Sequence, residues 1–149
     1  MNQTAILREQ RPGGGWRGSD VDAIRFLMRM PDPSPEIRDA IESAVAWFRS
    51  SALTGMRLER PPIEPQRFLN HTADHDVVVV KDEAAPPLWA RFYELDTGRP
   101  FLCTRDGLQV YSLAEVQIER RTGYAWYGYW PAQLLTRDYP EWKRGISSH

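Results

Sequence analysis

The sequence predicts a mainly α chain with short irregular strands, and three observations lead there. Ile37, Ile41, Ala44, Val45 and Phe48 form an apolar stripe at spacings of three and four, the repeat of one helix face. Val21, Ile24, Leu27 and Met28 repeat that pattern just upstream. From Met56 onward the helical period disappears, and proline and glycine cut the chain into pieces that suit only brief extended segments.

In chain order, residues 1–18 show no periodicity. Arg11-Pro12-Gly13-Gly14-Gly15 can hold neither helix nor strand, so this segment is expected to be disordered. Order is expected from Ser19, an N-cap followed by Asp20 and Asp22 at the positive end of a helix dipole, and Pro31 ends that helix. The second helix opens on Ser34 as cap, with Pro35 at the first helical position and Glu36 beside it. Gly55, able to take left-handed geometry, is expected to close it. These two helices read as an αα-hairpin whose stripes need neighbours to be buried.

Pro61, Pro62 and Pro65 interrupt the next segment, and Val77-Val78-Val79-Val80 is its one good strand signal. Leu88 to Tyr93 alternates loosely, Asp96-Thr97-Gly98 reads as a turn, and Pro100 to Cys103 as extended. Arg105-Asp106-Gly107 reads as a second turn before a short segment, Leu108 to Tyr111. Ser112-Leu113-Ala114-Glu115 has the form of a capping box, opening a short helix that carries Glu119, Arg120 and Arg121 and stops at Thr122-Gly123. A last helix is expected after Trp130-Pro131, with Ala132, Leu134 and Leu135 apolar and Tyr139-Pro140-Glu141-Trp142 docking the chain end.

Composition narrows the functions. A length of 149 residues with 42% hydrophobic content suits one domain with a modest core. Nineteen basic against 20 acidic residues leave a net charge of -1, whereas a general nucleic-acid binder carries a basic excess. No apolar run approaches the roughly 20 residues that cross a bilayer. Met1 to Arg8 has no signal-peptide layout. Cys103 is the single cysteine, which excludes an internal disulfide, and with only 3 histidines it argues against a zinc cage. His71, Asp74, His75 and Asp76 are metal-binding residue types, but their spacing fits no standard zinc motif, and Asn70 to Asp74 has the composition of a solvated turn.

Only Lys81 and Lys143 are lysines, so 17 of the basic residues are arginine. Codon bias in a GC-rich genome would produce this, and so would anion recognition, since guanidinium grips a carboxylate in a bidentate fork. The 6 Trp and 6 Tyr concentrate late in the chain and suit either a packed core or a groove for a polar, flat-faced ligand such as a sugar.

One stretch is more particular. It runs Trp89-Ala90-Arg91-Phe92-Tyr93-Glu94, then Gly98-Arg99-Pro100 and Arg105-Asp106-Gly107, and ends Glu119-Arg120-Arg121-Thr122-Gly123-Tyr124-Ala125-Trp126-Tyr127-Gly128-Tyr129-Trp130-Pro131. With the upstream Ile24-Arg25-Phe26-Leu27-Met28, Pro33-Ser34-Pro35-Glu36 and Ala44-Val45-Ala46-Trp47-Phe48, it resembles the C-terminal part of family 10 pectate lyases across roughly residues 19–144. The resemblance implies the C-terminal portion of an incomplete α/α toroid. It also implies calcium-dependent β-elimination of α-1,4-polygalacturonate, that is pectin, outside the cytoplasm. The earlier half of that domain, with most acidic calcium ligands, has no counterpart here. Residues 19–144 are therefore expected to be a partial lyase domain, weakly active or inactive alone, with 145–149 as a tail. The alternatives are a non-catalytic pectin-binding module and a structural remnant.

The same resemblance nominates the site. Arg91 and Arg105 are expected to grip substrate carboxylates, with Arg120, Tyr124 and Trp126 also on the substrate side. Arg8 falls at roughly the place of the family's proton-abstracting arginine, although the neighbouring tyrosine and Pro-Ser are absent. Structural roles compete with each of these. Arg91 could pair with Glu94 or Glu115, Arg105 with Asp106, and the aromatics could simply be core. Arg120 and Arg121, being adjacent on a helix, point in different directions, so one of them is expected to be structural. Glu94 and Glu119 are expected to orient arginines rather than transfer protons.

Overall fold

A computed structural model describes residues 20–147. The disorder expected for residues 1–18, the Ser19 cap and Arg8 all lie outside the described residues. The chain divides into two compact units, one within Met1–Ala52 and Tyr129–His149, the other Leu53–Gly128.

The first unit is helical. Helix α1 spans Val21–Met28 and buries Val21, Ile24 and Leu27 along one side. Pro31, Asp32 and Pro33 make the turn, where Asp32 takes a φ of 46°, a left-handed position that an aspartate tolerates better than most residues. Helix α2 spans Pro35–Ser51, and the Ile37 backbone N–H donates to the Ser34 hydroxyl as the cap reading requires. Its buried face is Ile41, Ala44, Val45 and Phe48. The helix ends earlier than expected, at the extended Ala52. Gly55, at φ 75°, serves the turn into the next strand instead.

The neighbour these stripes need is the end of the chain. Helical structure resumes at Ala132, widens into a π turn over Leu134–Asp138, and continues as α4, Tyr139–Ser147. The widening has a local cause. Pro140 has no N–H to give the preceding turn, and in a regular helix its ring would strike the carbonyl four residues back. The Tyr139 N–H reaches Leu134 O, five residues back. Leu134 and Trp142 join the α1 and α2 stripes in the core. Arg25 Nε donates to Asp138 at 2.7 Å, and Tyr139 Oη donates to Glu42 at 2.5 Å, beside Lys143 on the same carboxylate.

The second unit overturns the expected class. It is built of small antiparallel sheets: β1 (Met56–Glu59) with β4 (Val78–Lys81), β2 (Pro62–Arg67) with β3 (Thr72–His75), and β5 (Trp89–Ala90) with β9 (Tyr127–Gly128). A three-stranded sheet orders β6 (Phe92–Tyr93), β7 (Pro100–Cys103) and β8 (Gln109–Val110). Across the described residues, helix accounts for 40% and strand for 25%, so the mainly α chain and its toroid give way to a mixed α and β architecture. The physical reason lies in β1, β2 and β3. β1 alternates over only four residues, prolines cut β2 and β3 is largely polar, yet backbone pairing needs only extended geometry, and β2 tolerates Pro62 at its first position. Thr72–His75 is likewise strand where a turn was expected.

The helix expected from Ser112 is two elements. The capping box forms, with the Ser112 N–H donating to Glu115 Oε2 at 3.1 Å, but the 3-10 turn Leu113–Glu115 ends at extended Val116. Helix α3, Ile118–Gly123, then starts afresh. Val77, Leu102, Leu113, Val116 and Trp126 form one core cluster of this unit, which also buries Leu88 and Trp89.

Candidate functional site

Arg91 sits where the chain leaves one sheet for another, between β5 and β6. Its N–H extends the β5–β9 ladder by donating to Trp126 O at 2.8 Å, and its Nε donates to Ala125 O at 2.9 Å. Backbone therefore fixes the guanidinium, which lies 4.9 Å over the Tyr124 ring. Tyr124 meets Trp126 edge-on at 4.6 Å, and the Arg120 guanidinium lies 5.5 Å over Trp126 from a different element, α3. Four of the expected substrate-side residues thus form one continuous stack.

Their burial separates their roles. Trp126 is only 4% exposed and donates its indole N–H to Arg120 O, so it is core and platform together. Tyr124 is 40% exposed and can present a ring edge to a ligand. Arg120 Nε is taken by Cys103 O at 3.2 Å.

Arg105 stands on a tight hairpin corner. Thr104 N–H donates to Leu108 O, Gly107 N–H donates back to Thr104 O, and Gly107 takes φ 82°, where a side chain would be strained. Its partner is not Asp106. Arg105 forks onto both oxygens of Glu119, from the next helix, with Nε to Oε2 at 3.0 Å. Glu119 does orient an arginine, as expected.

Arg121 resolves the adjacent pair. It forks onto Asp76 at 2.6 and 2.8 Å and donates to Val116 O at 2.7 Å, so it ties α3 to the chain between β3 and β4. The Arg121 hydrogen bonds hold the Asp76 carboxyl below its usual range, and Asp76 in turn raises the guanidinium. Beside it, His71 Nε2 and Thr122 Oγ1 are 2.9 Å apart, while that hydroxyl donates to Ile118 O at 2.7 Å. One hydroxyl hydrogen cannot serve both, so His71 is the donor to Thr122. The His71 ring also lies against Gly123, where an added Cβ would come within 2.7 Å of Cε1. Asp76 and His71 are thus supports of the arginine helix that their local sequence did not reveal, because their partners lie 45 and 51 positions away.

These placements also settle what the acidic groups are doing. Asp74 is bonded to His75, Asp76 to Arg121 and Glu119 to Arg105. Among the described residues no group of three or more His, Cys, Asp or Glu could hold a metal ion.

A family model described as pectic acid lyase matches residues 12–135. The chain belongs to the pectic acid lyase family. Two solved structures agree in fold with this family member. One is the family 10 polysaccharide lyase from Cellvibrio cellulosa, 33% identical with a TM-score of 0.61. The other is a mutant of a family 10 polysaccharide lyase from Cellvibrio cellulosa in complex with trigalacturonic acid, 32% identical with a TM-score of 0.60. Each match covers 80% of this chain and 34% of the other, so the pectic acid lyase segment here spans about a third of those proteins' length. No curated protein matches the chain. The resemblance read from Trp89 to Pro131 and from the upstream helices is therefore a family relationship.

Proposed function

We propose that the chain grips the carboxylates of polygalacturonate with Arg91, Arg105 and Arg120 and serves β-elimination of the pectin backbone. The observation that carries this reading is the stack of Arg91, Tyr124, Trp126 and Arg120, in which two guanidiniums are fixed by backbone carbonyls over aromatic rings. Fixed cations suit this reaction. Removing the C5 proton beside a uronate carboxylate puts a second negative charge on the same group, and donors already aimed there stabilise it without reorganising. Among the described residues, Arg120 keeps both terminal nitrogens for such an anion once Nε is spent on Cys103, and Arg105 keeps Nη1 beyond its fork to Glu119.

Calcium is what the family resemblance implies, as a hard ion for uronate oxygens. The described residues do not fit it, since no three of their acidic or histidine groups converge and Asp74, Asp76 and Glu119 are already bonded to histidine or arginine. The role derived for this chain is accordingly carried by its arginines. The commitment of Asp76 and Glu119 to ion pairs favours, as a second reading, a pectin-binding module that does not cleave.

Migration in a polygalacturonate-containing gel tests the binding. The wild type should be retarded, and Arg91→Ala and Arg105→Ala should each lose most of the retardation while remaining folded. An unretarded wild type would sink both readings. Absorbance of the unsaturated product, followed with calcium supplied, separates a lyase from a binder.

A further inference from the structure

A hollow of about 240 Å³ lies in the second unit, bordered by Arg60, His75, Arg121, Thr122, Tyr124 and Trp126. Tyr124 and Trp126 belong both to its wall and to the arginine stack. The charges around it do not simply add. Arg121 is neutralised by Asp76. Arg60, in the connection between β1 and β2, is exposed and has no partner among the described residues. Arg67 at the end of β2 is equally unpaired there, but it does not border the hollow.

His75 adds a polar group of defined sense. Its Nδ1 lies 2.9 Å from Asp74 Oδ1, and an ionised carboxylate can only accept. The neutral ring therefore carries its hydrogen on Nδ1 and offers Nε2 as an acceptor. The hollow thus combines one uncompensated guanidinium, one hydroxyl acceptor and an aromatic wall. That set matches the carboxylate, a hydroxyl and the C–H face of a single uronate unit.

We propose that this hollow is a subsite for one galacturonate, with its carboxylate forked by Arg60 and a hydroxyl donating to His75, continuing the arginine stack through Tyr124. The subsite rests on the pectate-binding reading above and extends the bound stretch of polymer beyond Arg91.

Proton NMR of the full chain with hexagalacturonate as probe tests it, because the His75 ring borders the hollow and the Arg91 Nε–H, held on Ala125 O in the stack, does not. Hexagalacturonate should shift both the His75 ring signals and the Arg91 Nε–H. Arg60→Ala should lose the His75 shift, keep the Arg91 shift and bind roughly fivefold more weakly. Arg67→Ala should change neither. An Arg91 shift with a silent His75 in the wild type would overturn the subsite and leave the pectate-binding reading standing. Equal behaviour of Arg60→Ala and Arg67→Ala would also overturn the subsite. If neither signal moves in the wild type, the reading itself falls, and the subsite with it.

Discussion

The two units of this chain are held together by different physics. In the helical unit, Ile24, Ile41, Phe48 and Leu134 are fully buried, and its polar bonds, such as Arg25 to Asp138, lie at the edge of an apolar core. In the unit Leu53–Gly128 the strands are two to six residues long, and much of the cohesion comes from arginine side chains that reach carboxylates and carbonyls on other elements. Arg57 to Asp82, Arg91 to Ala125, Arg105 to Glu119, Arg120 to Cys103 and Arg121 to Asp76 each tie one segment of this unit to another. A helix bundle can be built from oily stripes alone. Short hairpins expose too much backbone edge for that, and here the guanidiniums take up part of the load.

The sharpest way to probe this contrast is to remove one group of each kind. Phe48→Ala deletes a ring that is 0% exposed and should cost about 3–5 kcal/mol, read from urea unfolding. A cost below about 1 kcal/mol would mean that the helical unit is not held by its apolar core.

Asp76→Asn is the counterpart in the other unit and should cost about 2 kcal/mol, because the half-buried Arg121 loses its charged partner. It also carries a pH signature. The folded Asp76 carboxyl titrates below its ordinary value of about 4, so its stabilisation is complete above that value and is lost as pH falls through the lower folded value. The gap in urea midpoint between wild type and Asp76→Asn should therefore close in acid. A gap unchanged down to strongly acidic pH would place the effect elsewhere than in the ion pair.

The smallest expected effect tests packing between hairpin and helix. Gly123→Ala places a methyl against the His71 ring and should cost about 1–2 kcal/mol. In a His71→Ala background most of that cost should vanish, which a double-mutant cycle measures.

Legibility in the sequence follows the same division. Ile37, Ile41, Ala44, Val45 and Phe48 announce their helix because one period governs both spacing and burial, and the Ser34 cap is equally local. The corners at Gly98 and Gly107 were legible for the same reason, each being a turn written in consecutive residues. Strands β1, β2 and β3 were not, since Met56 to Glu59 alternates over only four residues, Pro65 cuts β2, and Thr72 to His75 is largely polar. The candidate site was nominated as a list of residues by family likeness, and four of them meet in one stack. Which arginine would be structural was not, because Arg121 finds Asp76 from 45 residues away and Arg105 passes over the adjacent Asp106 for Glu119. Long-range ion pairs leave no trace in local spacing.

The fork of Arg105 onto Glu119 and that of Arg121 onto Asp76 bear on what a polymer senses from a distance. Each is a cation joined to an anion at contact, and beyond a screening length of about 8 Å in physiological salt such a couple has almost no field. A basic-residue map of this surface would overstate its pull on any polyanion. On the proposed reading, capture depends on close register between fixed guanidiniums and evenly spaced carboxylates, which a uronate chain offers and an irregular polyanion does not.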